Sequence, residues 1–346
     1  MSETSTHALV IYNPAAGQSG NLTRDLNDAC AFWRSHGWRV DLQPTTAPGD
    51  GPHIARAAAR RGYNVIVAAG GDGTVNEVIN GLVGTEAALA VLPIGTVNIW
   101  ARELGIPLQT RAAAEAILYG QVRQVDLGRA NDRYFLLMAG VGFDAAVTAE
   151  VGSKEKRLLG VFAYAFRAIQ LAWRFQGVRT HVIVDGKPIH GRILMVVVGN
   201  SRLYGGFVKL TVRATINDGL LDVCVIKGKT LRGAPSRILS IITRRYHLDS
   251  EVEYHRAQNV EIRSSKPLPV QVDGDYIGHT PMSFEAIPSA LRAIMPETLP
   301  EDLLRTETPP SQRSWRRFFG SLRRWRYRQS HIETNNQEHT IEKRQS

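Results

Sequence analysis

Cysteine is scarce in this 346-residue chain: Cys30 and Cys224 are its two, each in an apolar stretch and neither at a spacing that a disulfide framework or a thiolate metal site would use. A reducing compartment suits such a chain. Also missing are any run of about 18 uncharged apolar residues and, in the opening MSETSTHALV, a basic segment leading into an apolar one. Neither export nor a membrane-spanning helix is expected. The remaining composition is that of an ordinary globular protein, 43% hydrophobic and 21% charged, long enough for two cores and with no internal repeat. Its formal net charge of +10 is the one unusual quantity.

The run Gly70-Gly71-Asp72-Gly73-Thr74-Val75-Asn76-Glu77 follows the apolar stretch Val65 to Ala69 and leads into a helical pattern carried by Val75, Val78, Ile79 and Leu82. It has neither of the familiar spacings GxxxxGKS/T and GxGxxG. Three glycines in four positions still let backbone N–H groups approach an anion, and the helix that follows adds its dipole. Thr74 is expected as the N-cap, with Glu77 closing a capping box. A carboxylate at Asp72 would repel a phosphate unless a cation lies between them, and Mg²⁺ suits that place. Gly-Gly-Asp-Gly is equally a common turn between strand and helix, and loop chemistry alone does not separate the two readings.

Along the first third, strand and helix alternate. Strands are expected at 7–12, 38–42, 63–69 and 88–92, with helices after Leu22 and over 52–61. This order implies a mostly parallel sheet that gathers Asn13 to Gly17, Gly70 to Glu77 and Gly95 to Asn98 at the carboxyl ends of its strands. Beyond about Val122 come short β-rich runs, at 181–189, 192–199, 207–214, 220–227, 252–264 and 270–277, interrupted by helical patterns at 158–175 and 230–246. The expected organisation is an α/β nucleotide-binding domain over 1–122 and a β-sandwich-like substrate domain over 123–295, whose last segment can return to the first. A basic tail over 296–346 follows.

Much of the positive charge lies in that tail. From Trp315 to Arg326, Trp315, Phe318, Phe319, Leu322 and Trp325 share roughly one helical face, with arginines beside and opposite. Such a helix suits an anionic membrane surface. It could also dock on its own domain; nucleic acid is the least supported partner.

The GGDGTVNEVINGL stretch resembles the nucleotide-binding motif of the diacylglycerol kinase catalytic domain family, which includes sphingosine kinases and bacterial lipid kinases and shares GGDGT with NAD kinases. Asn13 to Gly17 is similar to the family's NPxxG loop, Thr45 to its threonine ahead of a Gly-Asp pair, and Gly95-Thr96-Val97-Asn98 to its GTxN loop. Gly199-Asn200, Tyr204-Gly205-Gly206 and Ile216-Asn217-Asp218-Gly219-Leu220-Leu221-Asp222-Val223 resemble its second-domain signature and favour the lipid kinase branch. The resemblance spans about residues 8 to 290. It implies an NAD kinase/diacylglycerol kinase-like fold and a cytoplasmic enzyme, peripheral at the inner face of the membrane, that uses ATP and Mg²⁺ to phosphorylate a lipid hydroxyl. Two alternatives stand beside it: an NAD kinase-like enzyme with a soluble substrate, and a catalytically weak protein that binds lipid or nucleic acid.

Residue by residue, the resemblance implies a nucleotide site of Asn13, Gly17, Thr45, Gly71, Asp72, Gly73, Thr74, Val75, Asn76, Glu77, Thr96 and Asn98. Gln271-Val272-Asp273-Gly274-Asp275-Tyr276 resembles the family's DGE motif, which makes Asp275 the proton acceptor, one methylene shorter than the usual glutamate, with Asp273 beside it. Ile99 stands where family members commonly carry an aspartate of the magnesium network, leaving Asp72 and Asp273 as the expected holders of the metal. A structural Mg²⁺ is implied at the backbone oxygens of Thr215 and Leu220 and the carboxylate of Asp218. Without the resemblance, Asp273-Gly274 and Asn217-Asp218-Gly219 read as turns, as Asp185-Gly186 does.

Overall fold

Apolar runs that pair in parallel and are buried on both faces build the first half of the molecule. A computed structural model describes residues 6–14, 22–150, 175–204, 208–230, 243, 245 and 249–305. Its first elements are β1 (His7–Tyr12), α1 (Leu22–Ser35), β2 (Arg39–Pro44), α2 (Asp50–Arg60), β3 (Val65–Gly70), α3 (Asp72–Leu82), β4 (Ala88–Pro93), α4 (Ile99–Leu104) and α5 (Thr110–Leu118). Every residue of β3 (VIVAAG) and β4 (ALAVLP) is buried. The parallel order is β4-β3-β1-β2, so Asn13, Gly71 and Gly95 all follow carboxyl ends of neighbouring strands.

The rest is largely antiparallel: β5 (Gln121–Ala130), β6 (Arg133–Phe135), β7 (Met138–Gly142), α6 (Phe143–Glu150), β8 (Val178–Val184), β9 (Lys187–Gly199), β10 (Leu203–Tyr204), β11 (Val208–Lys209), β12 (Leu221–Lys227), β13 (Val252–Ala257), β14 (Asn259–Ser264), β15 (Pro269–Val272), β16 (Asp275–His279) and β17 (Met282–Met295). Strand alternation explains its two cores. Val196 and Val198 of β9 and Val223 and Val225 of β12 enter one cluster, while Met195, Val197, Cys224 and Ile226 enter the cluster that continues into the α/β region. β12 and the second half of β9 are therefore buried on both faces. The expected α/β region with a parallel sheet, followed by a mostly antiparallel β region, is what the chain forms.

One strand joins the two. β17 pairs antiparallel with β14 and β5, then runs parallel to β4 at Arg292↔Ala88 and Ala293↔Leu89.

Several local expectations change. The run 207–214 is not one strand: beyond β11 the chain turns, with Thr211 Oγ1 donating to the Ser201 carbonyl at 2.6 Å and burial at Leu210, Thr211 and Val212 alike in place of alternation. The run 252–264 breaks at Gln258, and 181–189 and 270–277 each contain a hairpin turn. The helical patterns at 158–175 and 230–246, the Trp315 to Arg326 helix, and Gly17, Gly205 and Gly206 lie essentially outside the described residues. Among those described, no helix is long and apolar enough to cross a membrane.

Candidate active site

The glycine loop turns from β3 into α3 with no spare residue. Gly71 is the N-cap, in extended conformation, and the helix begins at Asp72. Thr74 thus lies inside the first turn and is not the N-cap, and Glu77 closes no capping box. Its two carboxylate oxygens instead accept from Gly49 N at 2.9 Å and Gly51 N at 3.1 Å, which caps α2 from a distance. No N-cap side chain takes up the N–H groups at the start of α3, and the Asp72 N–H is directed at its own carboxylate.

A second loop meets this one at contact distance. A Cβ on Gly95 would lie 2.4 Å from Gly71 Cα and 2.8 Å from Asn98 Oδ1, so only glycine permits the approach. Gly95 N and Ile94 N both bond the Gly70 carbonyl at 3.2 Å. Asn98, at φ 52°, donates from Nδ2 to Gly95 O at 2.7 Å, while its buried Oδ1 has no partner. An orphaned acceptor beside a backbone cradle is the arrangement a polar ligand completes. Thr96 stands exposed at the rim.

Asp72 is less open than an exposed loop would make it. Its carboxylate accepts from Trp100 N at 3.3 Å, and burial pushes its pKa up, against backbone N–H groups and the more distant charge of Arg102. A cation would relieve that burden, so the Asp72 carboxylate would suit a magnesium ion. The main chain of Ile99 sits here too, although its side chain packs on the core. Among the described residues no group of three or more His, Cys, Asp or Glu side chains converges to hold a metal.

The other half of the site is the β15–β16 hairpin. Asp273, at φ 47°, opens its turn and receives four hydrogen bonds: Oδ1 from Leu137 N (2.9 Å) and Met138 N (3.0 Å), Oδ2 from Leu136 N (2.9 Å) and Asn76 Nδ2 (2.8 Å). A carboxylate has about four acceptor positions, so none remains for a metal. The metal-holding role expected of Asp273 is corrected to that of an anchor. Burial pushes its pKa up to about 6, opposed by these same donors.

Asn76 is likewise not aimed at a nucleotide. Its Nδ2 serves Asp273 and the Tyr134 carbonyl, its Oδ1 accepts from Arg133 Nη2 at 2.9 Å, and Val75 is buried in the core. Arg133 Nη2 also reaches Asp275 Oδ2 at 2.7 Å, so Asp275 sits at the mouth of the site, half exposed. The structure thus gathers Gly71, Asp72, Gly73, Thr74, Thr96 and Asn98 on one side and Asp273 and Asp275 on the other, joined through Asn76. Thr45 donates its N–H to the Tyr12 carbonyl at 2.8 Å beside Asn13. Arg133 escaped the sequence reading because no periodicity or spacing links position 133 to position 275.

The turn expected to hold a structural Mg²⁺ is differently occupied. Asp218 takes Leu220 N at 3.1 Å on Oδ1 and the Arg256 guanidinium on Oδ2, and its side chain is only 3% exposed. With its one carboxylate neutralised in this way, the set Thr215, Asp218 and Leu220 does not fit a magnesium ion as arranged.

Residues 7–130 match the diacylglycerol kinase catalytic domain, and residues 138–295 match the YegS C-terminal NAD kinase beta sandwich-like domain. Diacylglycerol kinase from Bacillus subtilis (strain 168) is 33% identical over 300 residues, covering 86% of this chain and 98% of the relative. The chain belongs to the diacylglycerol kinase family. This lipid kinase is also 35% identical over 281 residues to a Pseudomonas putida protein named "Probable lipid kinase YegS-like", which covers 81% of this chain and 93% of that relative. A crystal structure of a diacylglycerol kinase from Bacillus anthracis str. Sterne superposes on the kinase with a TM-score of 0.71 at 27% identity, covering 85% of this chain and 98% of the other. As a family member it is a phosphotransferase, and the three stretches of the second-domain signature lie within the second match.

Proposed function

We propose that the kinase transfers the γ-phosphate of ATP to a hydroxyl of a membrane lipid, with diacylglycerol as the acceptor. The observation that carries this reading is Asn76, a residue of the phosphate-loop helix that bonds Asp273 and so seats the acid-bearing hairpin on that helix. Phosphoryl transfer asks for little covalent chemistry from the protein beyond positioning and charge stabilisation. The start of α3 receives the phosphates, with Gly71 and Gly95 admitting them to the backbone and the orphaned Oδ1 of Asn98 accepting a ligand donor. Asp72 would hold magnesium, which when bound would supply neutralisation of the phosphate charge. The lipid hydroxyl oxygen forms the new P–O bond as the bond to the β,γ-bridging oxygen breaks. ADP leaves with that electron pair, and the hydroxyl proton passes to Asp275 and on to solvent.

A cytoplasmic protein peripheral to the inner face of the membrane suits this chemistry, since ATP arrives from water and the acceptor from the bilayer. The Trp315 to Arg326 segment carries the aromatic and arginine residues for such a surface. Labelled ATP offered with vesicles containing diacylglycerol, a sphingoid base, ceramide or phosphatidylglycerol, with the product identified by mass spectrometry, tests the reading. Phosphorylated diacylglycerol is expected, with Asp72→Ala slower by about 10²-fold or more. Phosphorylation of NAD without vesicles, or equal turnover by Asp72→Ala, would overturn it.

A further inference from the structure

We propose that Arg133 is a positioning residue of the transfer, which indexes the Asp275 carboxylate to the phosphate-loop helix. This rests on the reading of Asp275 as proton acceptor. Arg133 opens β6, a three-residue strand paired with the end of β5 through Ala130↔Arg133 and Arg129↔Tyr134. Its Nη2 carries two N–H groups and uses both, one on Asn76 Oδ1 at 2.9 Å and one on Asp275 Oδ2 at 2.7 Å. Asn76 Nδ2 bonds Asp273 at 2.8 Å, and the main chain from 273 to 275 closes the loop. Asp275, Arg133, Asn76 and Asp273 therefore form a ring, one member of which belongs to α3.

The rest of β6 is tied to the same helix. Asn80 Nδ2 donates to the Tyr134 carbonyl at 3.0 Å, and Tyr134 N donates to Asn80 Oδ1 at 3.0 Å. Arg133 thus rides on α3, while Asp275 sits on a different element. Among the described residues, the carboxylate of Asp275 has no hydrogen-bond partner except Arg133. No second hydrogen bond among the described residues holds its rotamer.

Stability does not account for the pair. Its side chains are 36% and 50% exposed, and a pair so wet contributes little to folding. Geometry does. Proton transfer needs a heavy-atom separation of about 2.6–3.2 Å, and a misplacement of about 1 Å costs on the order of 10²-fold in rate. An aspartate, one methylene shorter than a glutamate, has less reach with which to recover from a wrong rotamer. The guanidinium supplies the orientation that side-chain length does not.

The test uses the full chain with ATP, magnesium and diacylglycerol vesicles, comparing Arg133→Met, Arg133→Lys, Asp275→Asn and the double variant Arg133→Met/Asp275→Asn, with melting curves for each. Arg133→Met is expected to lower kcat about 10- to 100-fold, with KM for ATP within about threefold of wild type. Arg133→Lys, which keeps a cationic donor, is expected to recover part of the loss. The double variant is expected to be no slower than Asp275→Asn alone, because Arg133 acts through a carboxylate already removed. Losses that multiply in the double variant, a kcat of Arg133→Met within twofold of wild type, or a loss confined to KM for ATP would each overturn the proposal. If Arg133→Met does not fold, the lysine variant carries the same comparison of kcat with KM. Full activity in Asp275→Asn would instead sink the proton-acceptor reading itself.

Discussion

Asp185-Gly186 and Asp273-Gly274 close two hairpins of this kinase with nearly the same backbone: φ is 46° and 79° at the first, 47° and 86° at the second. Both are type I′ geometry, which Asp-Gly favours. Both aspartates also do the same kind of work. Asp185 accepts from Gln258 N and Asn259 N, where β13 breaks into β14, and Asp273 accepts from the main chain at 136–138. The difference lies one residue past the glycine. Lys187 follows the first turn; Asp275 follows the second and meets Arg133. A turn aspartate that clamps a distant backbone segment is thus no sign of chemistry in this molecule, and the second hairpin acquires its site from Asn76, a side chain of the phosphate-loop helix.

The largest effect that would sharpen this contrast is on turnover. Asp275→Asn keeps the shape but cannot take a proton, so kcat is expected to fall about 10²- to 10⁴-fold with nucleotide affinity retained. Lys187→Asp, which gives the first hairpin the same Asp-Gly-Asp sequence, is expected to change nothing measurable. A stable Asp275→Asn variant with wild-type kcat would reduce the two hairpins to equals.

Stability comes next. Asp273→Asn turns two of four acceptor positions into donors that face N–H groups, a loss of about 1–3 kcal/mol or more in urea unfolding. At the exposed Asp185, the same change is expected to cost about 1 kcal/mol or less, because water can serve the freed Gln258 and Asn259 amides. Equal losses would mean that Asp273 is held no more firmly than its counterpart.

The remaining effect is on pH dependence. The Asp273 carboxyl, pushed up to about 6 from an ordinary value of 3.8, takes a proton in the folded state over a window where the unfolded chain does not. Its contribution to stability therefore rises as pH falls through that window, by at most about 1.4 kcal/mol per pH unit. The stability gap between wild type and Asp273→Asn should widen from about pH 6 toward about pH 4. A gap that narrows would place the carboxyl below its ordinary value and give its four donors the upper hand over burial.

The same contrast separates what was legible in the sequence from what was not. β1, β3 and β4 emerge within a residue or two of their expected bounds because an apolar run buried on both faces carries its own signal. The meeting of Gly71 with Gly95 follows from strand order, since their loops leave adjacent parallel strands. The resemblance implies Glu77 and Asn76 as nucleotide residues along with the rest of their motif, yet a helix points successive side chains about 100° apart, so one caps α2 and the other enters the Asp273 anchor. Arg133 and Asp275 are 142 positions apart, and Asn76 and Asp273 are 197. Contacts of that span leave no mark in local composition.

The place of β17 bears on how the molecule is made. The neighbour of β4 on its outer side is supplied by Arg292 and Ala293, some two hundred residues downstream, after the whole β region has been synthesised. Until then a fully apolar strand, ALAVLP, waits with one edge unpaired while the nascent chain lengthens. Loops this long make closure slow and leave partly built sheets open to association with other chains. The nucleotide half of the kinase is consequently the first part made and among the last completed, and a fragment ending near residue 122 would carry that unfinished edge permanently.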